Sequence, residues 1–208
     1  MKLYYSQGAC SLAPHIILEE LGIPYTAQQM QFANGDYERP EFLKLNPMGA
    51  VPVLELNSGE ALTEGVAIQQ YLADLKPELH LAPRNGTMER SRCQEWLNFI
   101  ATELHKTIGG LFSPQAFAKT PAAIEEVKTS LIEMAGQKLD VASAKLGTKK
   151  FLLGDQYSIA DIYLFTVFSW TPYVGLKTEK WPNLVAHSKR VMERPAVRRT
   201  MEIEELLD

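Results

Sequence analysis

A change of hydrophobic rhythm partway along the chain constrains its fold more than any other feature. Up to about residue 75, short apolar runs alternate with amphipathic segments, whereas after residue 87 nearly every segment shows helical periodicity or helix punctuation. Between them lie Lys76-Pro77-Glu78, Pro83 and the turn-prone Arg84-Asn85-Gly86, so a linker is expected at 76–87. Two domains follow, at 1–75 and 88–208, and 208 residues suffice for two modest cores.

Residues 2–5 read as a strand, Ser11 to Leu21 as a helix stopped by Gly22, and Thr26 to Gln31 as a second strand. Such a crossover makes the two strands parallel and right-handed. A short helix is expected around Pro40 to Leu45. Val51 to Leu56 and Ala61 to Thr63, separated by Asn57-Ser58-Gly59, read as a hairpin, and Gly65 to Leu75 as a helix. This order matches a thioredoxin-like α/β domain. In the second part, apolar residues at 96, 97, 100, 104, 108, 111 and 112 predict one long helix from Thr87 to about Ser113. Further helices are expected at Pro121 to Leu146, Ser158 to Trp170, 182–193 and 195–207, giving an all-α helical bundle.

The formal charge of -4 removes any general electrostatic case for nucleic acid, and no stretch has the apolar length of a membrane span. A short N-terminal apolar run does not make a signal peptide, so a cytoplasmic location is expected. Cys10 and Cys93 are expected to be free thiols, and no spacing of His or Cys predicts a metal site.

Four places carry residues suited to chemistry. Cys10 sits where the first strand gives way to the first helix, and a helix N-terminus stabilises a thiolate, although a small buried hydrophobe is the plainer reading. Pro52 opens a strand it cannot serve as a hydrogen-bond donor, which fits an edge strand or a cis Val51-Pro52 bond. Glu64-Gly65 lies where a strand ends and a helix begins, so a carboxylate that takes an ammonium adjoins amides that take a carboxylate, or else Glu64 caps the helix. Asn98, Thr102 and His105 fall at i, i+4 and i+7, so they share one face of the long helix. Ser158 and Asp161 form a capping box with Tyr157 and Ile162 as a hydrophobic staple; we assign this motif to folding. Cys93, His15, His80 and His187 are given structural roles.

Six motifs in register resemble the cytosolic glutathione transferases over essentially the full length, specifically the bacterial beta class. They are Gly8-Ala9-Cys10-Ser11-Leu12-Ala13, Asn46-Pro47-x-Gly49-x-Val51-Pro52-Val53-Leu54, Thr63-Glu64-Gly65-x-Ala67-Ile68, Trp96-Leu97-Asn98, Thr102-Glu103-Leu104-His105-Lys106 and Ser158-Ile159-Ala160-Asp161. The resemblance implies a cis Val51-Pro52 bond and a glutathione site formed by Cys10, Val51, Glu64, Gly65, Asn98, Thr102 and His105. Cys10, Ser11 and His105 are implied as catalytic, with His105 beside the Cys10 sulfur. Many beta-class relatives carry a lysine in the loop after the second strand and another between Asn-Pro and Gly. Here those stretches read Phe32-Ala33-Asn34-Gly35 and Asn46-Pro47-Met48-Gly49, with Arg39 and Lys44 as candidate replacements.

The implied activity is conjugation of the glutathione thiolate to small hydrophobic electrophiles, serving detoxification, with glutathione as co-substrate and no cofactor. The second substrate would meet the helical domain, where Leu111, Phe112, Phe117, Tyr163 and Trp170, with Tyr5, are candidate lining residues. Cys10 adds a route through a mixed disulfide with glutathione. The alternatives are a glutathione-dependent thiol-disulfide oxidoreductase and a non-enzymatic binder of apolar ligands. A homodimer is expected, through the helix after Glu64 and the long helix.

Overall fold

A computed structural model describes residues 1–207, which divide into two compact units. One comprises Met1–Arg84 with the segment from Met192 onward, and the other Asn85–Val191. The sequence reading, which assigned everything after residue 87 to the helical domain, is therefore corrected at its C-terminal end.

The first unit contains strands β1 (Lys2–Tyr5), β2 (Thr26–Gln29), β3 (Val53–Glu55) and β4 (Ala61–Leu62) in the order β2-β1-β3-β4. β1 and β2 run parallel, joined through helix α1 (Leu12–Leu21), while β3 is antiparallel to both β1 and β4. Alternation along β1 and β3 sorts the core into two faces. Tyr4, opposite Val53, packs with Met30, Tyr37 and Phe42, the last on helix α2 (Pro40–Leu45). Leu3, opposite Leu54, takes the other face, where α1 and helix α3 (Gly65–Leu75) pack on each other; Ile16, Ile17, Ile68 and Leu72 are fully buried there.

The last helix, α9 (Pro195–Ile203), also packs on α1, which is why it belongs to this unit. Arg194 grips Glu20 through two hydrogen bonds, and Arg199 pairs with Glu19 at 2.6 Å. Beyond α9, Glu204 is buried against His15, at 2.7 Å, and accepts the Gly8 N–H at 2.9 Å. No periodicity connects residues so far apart in the chain.

In the second unit, helices α4 (Met88–Phe99) and α5 (Lys106–Gly110) are joined without a break by a π-helical stretch, Ile100–His105. Helix α6 (Pro121–Leu146) turns Ala135, Leu139, Ala142 and Leu146 inward, one residue per turn. Helix α7 (Ile159–Phe168) is buried all round, as its unbroken apolar sequence requires. Its start is fixed by the expected capping box, and helix α8 (Pro182–Met192) completes the set. The Asp161 carboxylate accepts from the Ser158 N–H and hydroxyl, each at 2.9 Å, from the Leu152 N–H at 2.8 Å, and pairs with His187 Nε2 at 2.8 Å. No helix among the described residues is long and apolar enough to cross a membrane.

Candidate functional site

The turn from β1 to α1 is held by Ser11, not opened by it. Its buried hydroxyl accepts the Ser6 N–H at 3.0 Å and donates to the Ser6 carbonyl at 3.1 Å. Both ends of the hydroxyl are thus engaged by the backbone, so Ser11 clasps the loop that precedes Cys10. Gly8 lies within that loop at φ +65°, a conformation a Cβ disfavours, with its N–H fixed by Glu204. Cys10 comes directly before the N-cap residue of α1, Ser11, as expected for a thiol at a helix start.

The half-buried Cys10 thiol donates to the Val51 carbonyl at 3.3 Å. The Val51-Pro52 peptide is cis, so the loop before β3 brings Val51, not Pro52, to the thiol. Gly65, the first residue of α3, lies beside Pro52: a Cβ built on it would stand 3.6 Å from Pro52 Cγ. Glu64 takes φ +65° and ψ 107°, unusual for a side chain with a Cβ, and makes no capping hydrogen bond. Its carboxylate is exposed, so the capping alternative fails and a group free to meet a cation remains. Strain of this kind costs about 1–3 kcal/mol and persists where the surroundings enforce it, commonly at ligand sites. Cys10, Val51, Glu64 and Gly65 are therefore brought to one locality of the first unit.

The helical unit treats its three candidates differently from the spacing argument. The π-helical stretch closes i→i+5, so counting at 3.6 residues per turn from Asn98 does not carry through to His105. Asn98 and Thr102 lie exposed, and the Thr102 hydroxyl donates to the Asn98 carbonyl at 3.0 Å. His105 is turned inward, 2.7 Å from the Tyr163 hydroxyl on α7 and 5.0 Å between ring centroids from Trp170. Burial first, and the neighbouring Lys106 charge second, lower its pKa to about 4. His105 is neutral at pH 7, with its Nδ1 and the Tyr163 hydroxyl sharing one hydrogen bond. Any help it gives an anion is a hydrogen bond, not a charge. Of the candidate lining aromatics, Tyr5, Tyr163 and Trp170 are buried, while Phe112 and Phe117 are exposed.

Arg39 is tied to Asp36 at 2.6 Å, and Lys44 is exposed on α2. Burial pushes the Cys93 thiol up to about 11, in keeping with a structural role. The Gly8–Glu204–His15 chain, which steadies the Cys10 loop, escaped sequence reasoning because its acid lies 196 residues from Gly8.

The chain matches known proteins along nearly its whole length. The model of the glutathione S-transferase N-terminal domain matches residues 8–75, and that of the C-terminal domain matches residues 99–195. Glutathione S-transferase GstA of Escherichia coli O157:H7 is 40% identical, over 99% of this chain and 100% of that protein. Among solved structures, a ternary complex of BphK, a bacterial GST, is 43% identical with a TM-score of 0.89, covering 99% of this chain and 100% of that one. A bacterial beta-class enzyme of Sphingomonas chungbukensis is 39% identical with a TM-score of 0.89, each chain covered in full (100%). Matched through both of its halves and along its whole length, the chain belongs to the glutathione S-transferase family.

Proposed function

We propose that this glutathione transferase binds glutathione on the first unit and joins its thiolate to small hydrophobic electrophiles. One observation carries the reading: a thiol at a helix start, beside the Val51 carbonyl, with the exposed Glu64 carboxylate and the α3 N-terminus next to Pro52. The cysteinyl backbone of glutathione pairs with Val51 as an added strand would. Its γ-glutamyl ammonium meets Glu64, and the adjoining carboxylate meets the first amides of α3 at Gly65. In the reaction the thiol proton leaves to water, the thiolate forms a bond to the electrophilic carbon, and the leaving group departs with its electron pair. A structure of a similar sphingomonad enzyme, 38% identical, was obtained as a complex with glutathione.

The roles of Asn98, Thr102 and His105 rest on the family resemblance, His105 acting as a neutral imidazole. Cofactor-free chemistry, a cytoplasmic location, detoxification and a homodimer belong to the same proposal. Exposed Tyr71 and Leu75, one turn apart on α3, suit a self-association surface.

The half-buried state of Cys10 favours a second activity. Its thiolate can attack a glutathione disulfide, releasing one glutathione thiolate and leaving a mixed disulfide that a second glutathione thiolate resolves. Cys10→Ala, assayed for conjugation of an aryl halide and for mixed-disulfide reduction, separates the two. Conjugation retained with reduction lost assigns Cys10 to exchange; loss of both places its sulfur in both reactions. Wild-type inactivity in both assays across varied substrates favours a binder, and no detectable glutathione binding by calorimetry at millimolar ligand refutes both enzyme readings.

A further inference from the structure

The first unit carries a groove of about 410 Å3 whose walls include Phe32, Tyr37, Leu43, Pro47, Met48 and Gly49, the last of which lies two residues before Val51 in the chain. Phe32 is 80% and Met48 82% exposed, so two large apolar side chains stand almost wholly in solvent on one small surface. Phe32 stacks on Tyr37 with centroids 4.1 Å apart and planes 16° from parallel. Gly49 sits at φ +55° so close to Tyr37 that a Cβ would approach its carbonyl oxygen to 3.0 Å, which holds the Met48 loop against the Asp36–Glu38 turn. Glu38 is the one charged residue among those lining the groove, and no lysine or arginine is among them. Arg39, paired with Asp36, lines a different groove with Lys2 and Glu41.

Given the glutathione site proposed above, chain continuity from Gly49 to Val51 relates this groove to the bound peptide. Gly65 packs on Pro52, so the γ-glutamyl end lies to the Pro52 side of Val51. The opposite end of a peptide paired with Val51 runs toward Met48-Gly49-Ala50. Tyr37 connects the two places, since Val51 packs on the Tyr37 cluster and Tyr37 also lines the groove. A free carboxylate brought here loses hydration against apolar side chains and faces Glu38 with no cation from the groove. An amide or ester keeps the same backbone and adds apolar contact.

We propose that this site takes γ-glutamylcysteinyl peptides whose C-terminal end is uncharged, as an amide or ester, at least as well as glutathione itself, with Phe32 and Met48 determining that specificity. The inference deepens the glutathione-site reading and depends on it. The test is calorimetry of the full chain with glutathione and with its glycyl ethyl ester, on wild type, Met48→Lys and Phe32→Lys. Both positions are exposed, so the substitutions leave the core intact.

Wild type should bind the ester as tightly as the free acid or more tightly, and each lysine should shift the ratio about tenfold toward the free acid. A wild-type preference for the free acid, or a ratio unmoved by both lysines, overturns the inference while leaving the glutathione site standing. Binding of neither ligand refutes the site itself. Sedimentation of the same samples identifies the competing occupant: if the lysines dissociate a dimer and leave the ligand ratio unchanged, the groove is covered by a second copy and the proposal fails.

Discussion

His105 is held neutral by its surroundings, and this has a measurable cost in acid. Its pKa falls from an ordinary 6.5 in the unfolded chain to about 4 in the folded one, so the unfolded state takes up the proton first as pH drops. The associated stability is fully present above about pH 6.5 and is lost as pH falls toward 4, amounting to about 3 kcal/mol. The perturbation is His105→Gln, chosen because its side-chain amide can pair with the Tyr163 hydroxyl in place of Nδ1. Urea unfolding at several pH values between 7 and 4 reads the difference. Wild type should lose about 3 kcal/mol more than the variant across that interval, the rest of the acid dependence being common to both. Proton NMR of the His105 ring gives the pKa directly. A value at or above 6, or parallel stability curves for the two proteins, refutes the reasoning.

Asp161 should matter more than a helix cap alone. Loss of the box costs about 0.5–2 kcal/mol, but this buried carboxylate also holds Leu152 and His187. Asp161→Ala is expected to destabilise by about 3–5 kcal/mol in denaturant unfolding, and Ser158→Ala by less. Gln69 is fully buried on α3 with neither side-chain atom hydrogen-bonded among the described residues. Gln69→Met should therefore raise stability by about 1–3 kcal/mol, visible as a higher Tm. Glu64→Gly relieves the positive φ and removes the carboxylate together, so calorimetry should show weaker glutathione binding while unfolding shows equal or greater stability.

Local rules made much of this molecule legible before its structure was described. The strand at residues 2–5, the helix from Pro121 to Leu146 and the Ser158-Asp161 box all depend on neighbours within a few residues. The features that escaped are set by contacts distant in sequence or by geometry the pattern does not encode. A π-helical stretch leaves the apolar pattern of 96, 97, 100, 104 and 108 intact while moving His105 off the line of Asn98 and Thr102. Ser11 has the hydroxyl a catalytic donor needs, and only the closed turn reveals that Ser6 already occupies it. The last helix has the same amphipathic character as those before it, so its place beside α1 emerges from the Arg194–Glu20 and His15–Glu204 pairs.

Titration of the isotope-labelled protein with glutathione, followed by amide NMR, tests the central claim most directly. The account predicts saturable shifts concentrated at Cys10, Val51, Glu64 and Gly65, abolished at the last two by Glu64→Ala. Shifts confined to other surfaces, or none at millimolar glutathione, would contradict it.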